Sequence, residues 1–179
     1  IALLVSRTIA KAHLDLYRAK ESVDVLSRTD PLTGLLNRRA LLTEFEGAPA
    51  VLALVIVDVD RFKRINDTFG HEYGDMAICA AARALMQCSS RDAVPARTGG
   101  DEFVVVQTYQ SDEASRDLVH RIRRTLEAEG KAQKLSFPLT MSIGTVVTDP
   151  DSNLTFADYV KQADGLMYEE KVQKRAARK

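Results

Sequence analysis

The sequence predicts an α+β domain, with helices packed on a mostly antiparallel β-sheet and a long helix ahead of it. Three observations carry that expectation. The run Val51-Leu52-Ala53-Leu54-Val55-Ile56-Val57 is continuously apolar, as a central strand covered on both faces must be. Two apolar stretches, 93–98 and 102–107, flank Gly99-Gly100 and read as a hairpin. Helical patterns alternate with these strands in the order β, α, β-hairpin, α, β, α, which suits helices laid on an antiparallel sheet.

The elements follow in order. Residues 1–29 hold no Gly or Pro, and Val5, Ile9, Ala12, Leu16, Ala19, Val23 and Leu26 are spaced 4, 3, 4, 3, 4, 3. That period is the seam of a coiled coil, about three heptads long. An amphipathic helix folded back on its own domain is the alternative. Thr29-Asp30-Pro31-Leu32-Thr33-Gly34 breaks the helix and sets the expected boundary, with a coiled-coil helix over 1–29 and a globular domain over 30–179. A helix is expected over 35–46, ended by Gly47 and Pro49, and then the 51–57 strand. After a polar loop come an Ala-rich helix over 75–87, the hairpin, a helix over 111–129, a strand over 140–147 and a last helix over 156–174.

Composition removes several function classes. With 179 residues, 45% hydrophobic and 28% charged, the chain can bury a core. Lys+Arg and Asp+Glu both number 25, so no global field draws nucleic acid or an anionic membrane, and an anionic ligand needs a local site. Cys79 and Cys88 fit no metal or redox spacing and read as reduced thiols. No apolar run approaches the ~20 residues that span a bilayer. The chain opens on Ile1 without a signal-peptide pattern, so a cytoplasmic location and a fragment of a longer protein are expected.

The chemistry gathers at two places. Asp58 follows the buried strand, where an unpaired carboxylate is costly and a cation would relieve it. Alternation puts Asp58 and Asp60 on one face. Gly99-Gly100 reads first as a turn, because glycine accepts positive φ, and it also lets phosphates approach the main chain. Asp101 and Glu102 follow at the sheet edge. If the 102–107 strand lies beside the 51–57 strand, Asp58 and Asp101 converge. Mg²⁺ is then the natural guest, since it takes oxygen ligands, keeps waters and shares substrate phosphates.

Three further stretches accompany Gly99-Gly100-Asp101-Glu102-Phe103. They are the run from Asp30-Pro31-Leu32-Thr33-Gly34 to Arg39, the run from Asp58-Val59-Asp60-Arg61-Phe62-Lys63 to Asp75, and Thr140-Met141-Ser142-Ile143-Gly144 followed by the segment from Ala163 to Lys171. In this order, over about residues 29–176, they resemble the GGDEF-domain diguanylate cyclases. The resemblance implies a nucleotide-cyclase or palm-like fold and the joining of two GTP into cyclic di-GMP with release of two pyrophosphates. It implies Asp58, the Val59 carbonyl, Asp101 and Glu102 at an Mg²⁺ site, with Mn²⁺ an alternative ion. Asp101, Glu102, Asp58 and Lys63 take the catalytic roles. Phe62, Lys63, Asn66, Asp75, Gly99, Gly100, Lys171 and Arg175 take the GTP-binding roles, with Asn66 and Asp75 reading guanine.

Asp75 has a second reading as a helix N-cap. Lys174 and Ala176 stand where such domains commonly have Gly and Asn, which bears on the loop around Arg175. The inhibitory Arg-x-x-Asp product site falls on Ser90 and Ala93, so no such site is expected. Each domain would hold one GTP, so a homodimer through the N-terminal helix and an upstream sensor domain are expected partners. Nucleic acid and membrane contact are not. A silent GTP-binding regulatory module, and a cyclase making another dinucleotide, are the competing readings.

Overall fold

The computed structural model describes residue 11 and residues 28–48 and 50–177. The expected coiled-coil seam, from Val5 to Leu26, lies outside the described residues. The elements run β1 (Leu36–Asn37), α1 (Arg38–Phe45), β2 (Leu52–Val59), α2 (Phe62–Phe69), α3 (His71–Cys88), β3 (Ala93–Arg97), β4 (Glu102–Thr108), α4 (Asp112–Ala132), β5 (Met141–Val147) and α5 (Phe156–Ala176). The strands form one five-stranded sheet in the order β1-β3-β4-β2-β5. Only the β1–β3 pairing is parallel.

β2 is flanked on both sides, by β4 and β5, and all eight of its residues are buried. Its alternation sorts the core into two layers. Val55, Val57 and Val59 join Phe103 and Val105 under α3 and α4. Leu52, Leu54 and Ile56 join Val104 and Val106 under α1 and α5. Fully burying a Val, Leu or Ile side chain contributes about 1.5–3 kcal/mol, so a strand apolar on both sides is held firmly.

Four expectations change. β2 runs on to Val59, so Asp58 lies within the strand, because β4 and β5 still pair with it there. The helix expected from residue 35 starts at Arg38. Leu36–Asn37 pair with β3 instead, and Asn37 caps the helix by accepting from Ala40 N. The polar loop before the Ala-rich helix contains α2, an eight-residue helix with Ile65 buried. Gly70, at φ +91°, then ends α2 and admits α3 four residues earlier than the expected start at Asp75.

At the domain entrance, Asn37 N donates to Arg28 O and Thr29 bridges to Leu36. Cys79 and Cys88 are both free thiols. Among the described residues no helix is long and apolar enough to cross a membrane.

Candidate active site

At one end of β2, Asp58 stands opposite Glu102 of β4 and Ser142 of β5. Val59 N donates to the Asp101 carbonyl at 3.1 Å, which fixes the signature turn against the strand end. Asp58 and Glu102 continue the even-numbered face under α5, where Ile56 and Val104 pack. The α5 helix approaches closely because residue 144 is glycine. A Cβ there would lie 2.0 Å from the Ala163 carbonyl oxygen and 2.5 Å from Met167 N. One turn further on, Lys171 Nζ donates to Asp58 Oδ1 at 2.7 Å.

Asp58 is only 4% exposed. Burial pushes its carboxyl up to about 6. The Lys171 hydrogen bond and charge pull the other way, while the negative charges of Asp101 and Glu102 add to the rise. One lysine therefore leaves this corner short of positive charge. No closed cage of three His, Cys, Asp or Glu side chains occurs among the described residues. The donor set fits a hard cation that uses one or two carboxylates, keeps waters and takes the rest of its shell from phosphates. Mg²⁺ is such an ion.

Asp60 has the opposite surroundings. Ser142 Oγ donates to its Oδ1 at 2.6 Å, Thr140 Oγ1 to its Oδ2 at 2.7 Å, and Lys174 Nζ reaches Oδ2 at 3.3 Å. Burial pushes this carboxyl up, but the Ser142 and Thr140 hydrogen bonds and the Lys174 charge outweigh it and hold it below the usual range. Asp60 ties the end of β2 to β5 and α5.

The Gly99-Gly100 turn differs from expectation. The positive-φ glycines among the described residues are Gly34, Gly47 and Gly70, so the turn does not use left-handed backbone. Glycine at 99 makes room for Glu102, since a Cβ there would sit 2.8 Å from Glu102 Oε2 and push that carboxylate aside. Arg97 holds the turn from behind. Its Nε donates to Gly99 O at 3.1 Å and its Nη2 to Gly100 O at 2.7 Å, while Nη1 meets both oxygens of Asp30 at 3.0 and 3.1 Å. Asp30 also accepts from Thr33 N and Thr33 Oγ1. The domain entrance and the signature turn thus share one guanidinium fork, and residue spacing gave no sign of it.

Beyond Asp60, Arg61 adopts the left-handed conformation at φ +61° and caps α2 without a side-chain hydrogen bond. The first N–H groups of α2, around Phe62 and Lys63, therefore have no side-chain cap, an arrangement suited to phosphate oxygens. Lys63 is exposed on this turn and has no ion-pair partner among the described residues. Asn66 Oδ1 is buried without a hydrogen-bond partner. A Cβ on Gly74 would fall 1.9 Å from that oxygen, so Gly74 makes the niche in which the Asn66 amide sits. Asp75 lies in the second turn of α3 and is exposed. The helix begins at His71 with Gly70 as its cap, so the N-cap reading of Asp75 fails.

At the far side, α5 continues through Lys174 and Arg175 to Ala176 with no loop. Arg175 is exposed on that last turn, while Lys174 is turned inward. Ser90 is exposed before β3 and its carbonyl accepts from Ala93 N. Ala93 is buried at the strand start. Sequence reading passed over Arg97 and Gly74 and noted Lys174 only as a departure. Repeated contact between distant segments, 67 and 114 residues apart for Arg97–Asp30 and Lys174–Asp60, left no local signal.

The sequence profile of the family described as "Diguanylate cyclase, GGDEF domain" matches residues 27–177. The chain is 33% identical over 175 residues to "Diguanylate cyclase VdcA" of Vibrio cholerae, covering 89% of this chain and 50% of that protein. It is 31% identical over 156 residues to "Cyclic di-GMP phosphodiesterase PdeR" of Escherichia coli, covering 84% of this chain and 23% of that protein. Both curated relatives are therefore at least about twice the length matched. The crystal structure of diguanylate cyclase SiaD, in complex with its activator SiaC from Pseudomonas aeruginosa, superposes with a TM-score of 0.72 at 26% identity. It covers 94% of this chain and 67% of that one.

Proposed function

Because the chain belongs to the GGDEF diguanylate cyclase domain family, we propose that it condenses two GTP into cyclic di-GMP and two pyrophosphates across a pair of such domains. The observation that carries this reading is the carboxylate corner. Asp58 is buried, pushed up to about 6, and set beside the charges of Asp101 and Glu102, with Lys171 its one ion-pair partner among the described residues.

In this reading Asp58, the Val59 carbonyl and Asp101 hold Mg²⁺, or Mn²⁺, with Glu102 alongside. The bound ion supplies charge neutralisation on the triphosphate. The protein's own groups do the rest. The uncapped N–H groups at Phe62 and Lys63, the Lys63 ammonium, Lys171 and Arg175 bind the phosphate oxygens. Gly99 and Gly100 let the nucleotide lie against the main chain. The Asn66 amide and the Asp75 carboxylate meet the Watson–Crick and amino edge of guanine, which adenine lacks in that arrangement. Leaving them unpaired disfavours ATP by about 1–3 kcal/mol per lost bond.

Each 3′-oxygen forms a bond to the other nucleotide's α-phosphorus as the bond from that phosphorus to pyrophosphate breaks. In this reading Glu102 receives the hydroxyl proton. Neither half-reaction can close within one domain, so a homodimer is required. The seam from Val5 to Leu26 is the proposed means of pairing, under an upstream sensor domain, and a cytoplasmic location accompanies this assignment. Replacing Leu16 and Val23 by Asp should lower turnover at low protein concentration. Unchanged dimerisation and rate would reject the seam.

The deciding experiment is incubation with GTP and Mg²⁺, followed by chromatographic identification of the product. Cyclic di-GMP that is absent with Asp101→Ala supports the reading. Binding of GTP without product supports a silent regulatory module instead. The likeness to a protein named as a phosphodiesterase, of which the chain spans only 23%, keeps that second reading in view.

A further inference from the structure

Lys174 has three ammonium protons. Four acceptors surround it: Asp60 Oδ2 at 3.3 Å, Glu170 Oε1 at 2.9 Å, Ser142 Oγ at 3.5 Å and the Met141 carbonyl oxygen in a close contact. Its side chain is 24% exposed. No donor remains for a ligand. Glu170 is held in turn, accepting from Ile143 N at 2.9 Å and from Arg123 Nη2 at 2.8 and 3.0 Å. The last turns of α5 are therefore fastened to the ends of β2 and β5 and to α4 through one set of ionic contacts.

Lys171 lies one turn earlier on the same helix and, among the described residues, donates one side-chain hydrogen bond, to Asp58 at 2.7 Å. If Asp58 engages a cation and Lys171 a triphosphate, that contact opens. Among the described residues, the remaining side-chain hydrogen bond between α5 and the end of β2 is then Lys174 on Asp60. We propose that Lys174 is a positioning residue. It keeps α5 seated while Lys171 passes from carboxylate to phosphate, and so fixes where Lys171 and Arg175 meet the outer phosphates. Helix α5 needs this tie because it runs uninterrupted to Ala176, carrying Arg175 on its final turn. A glycine or alanine at 174 would leave Asp60 without its ammonium partner and Glu170 with Arg123 and the Ile143 N–H.

The inference rests on the diguanylate cyclase reading, and the test separates the two. Calorimetry with Mg²⁺ compares 3′-deoxy-GTP, which has no attacking hydroxyl, with GMP, which lacks the outer phosphates. In Lys174→Met, affinity for 3′-deoxy-GTP should fall about tenfold while affinity for GMP stays within about twofold. Lys174→Gln, which keeps a hydrogen-bonding head, should show the same selective loss to a smaller extent and serves if the Met variant melts before binding can be read. Equal weakening of both nucleotides, or no weakening of either, would overturn the positioning role and leave the cyclase reading standing. An unaltered protein that binds 3′-deoxy-GTP no more tightly than GMP would overturn both.

Discussion

Asp58 and Asp60 stand two residues apart at one end of β2, and each is met by a lysine of α5. Among the described residues Asp58 has Lys171 as its side-chain hydrogen-bond partner and Asp101 and Glu102 as acidic neighbours, and its carboxyl rises to about 6. Asp60 has two hydroxyl donors and an ammonium, and its carboxyl falls below the usual range. Burial is the largest influence on both and acts in the same direction, so the difference comes from their hydrogen-bond partners and charged neighbours. A buried carboxylate that is fully partnered stabilises a fold. One left short of partners destabilises the empty domain and is prepared for a ligand.

The largest effect should come from exchanging those roles. Asp58→Asn should lower cyclic di-GMP formation by about a hundredfold or more, as expected when a group stabilising charge in the transition state is removed. Asp60→Asn should keep turnover within about tenfold per folded molecule. Initial rates normalised to the folded fraction check this. A similar loss in both variants would erase the distinction.

Acidity separates the two next. The folded Asp58 carboxyl keeps its proton up to about 6, whereas its unfolded value is 3.8, so between these values the folded state binds more protons. Its destabilisation is therefore full above about pH 6 and disappears as the pH falls to about 4. Asp60 works the other way, because its lowered carboxyl contributes stability above 3.8 that is lost as the pH falls through its folded value. Urea unfolding of the ligand-free protein against Asp58→Asn should show the variant's advantage shrinking by about 2 kcal/mol from pH 7 to pH 4. A constant difference across that range would mean that Asp58 is not perturbed.

Smaller effects lie at the edges of the site. Gly74→Ala would push the Asn66 amide from its niche, the end of a flexible side chain, so the KM for GTP should rise about tenfold with little change in melting temperature. Steady-state kinetics with GTP and ATP check this, and an unchanged KM would remove Asn66 from guanine reading. Smallest of all, titration with cyclic di-GMP should produce no strong noncompetitive inhibition, because Ser90 and Ala93 offer neither an arginine nor a carboxylate. Strong inhibition would point to a product site elsewhere.

The sheet and the signature were legible because their signals are local. The apolar run of β2 and the glycine-separated strands each announce an element within a few residues. The α2 helix was passed over because its cap is an arginine in left-handed backbone with no capping side chain, although Phe62, Ile65 and Phe69 carry a helical spacing. The division of labour between Asp58 and Asp60 had no local sign. It depends on which lysine of α5 each carboxylate meets, and that follows from Gly144 letting the helix settle on β5. The clamp of Arg97 on Asp30 and on the signature turn is hidden for the same reason, being made between segments 67 residues apart.

The division between the two aspartates is tested most directly by paired melts of Asp58→Asn and Asp60→Asn, with and without Mg²⁺ and 3′-deoxy-GTP. Without ligand, Asp58→Asn should melt at or above the unaltered protein and then show no ligand-induced rise. Asp60→Asn should melt lower, by the equivalent of about 1–3 kcal/mol for weakened buried hydrogen bonds, and still rise on adding ligand. The reverse pattern, with Asp60→Asn unresponsive to ligand and Asp58→Asn destabilised yet responsive, would contradict the account.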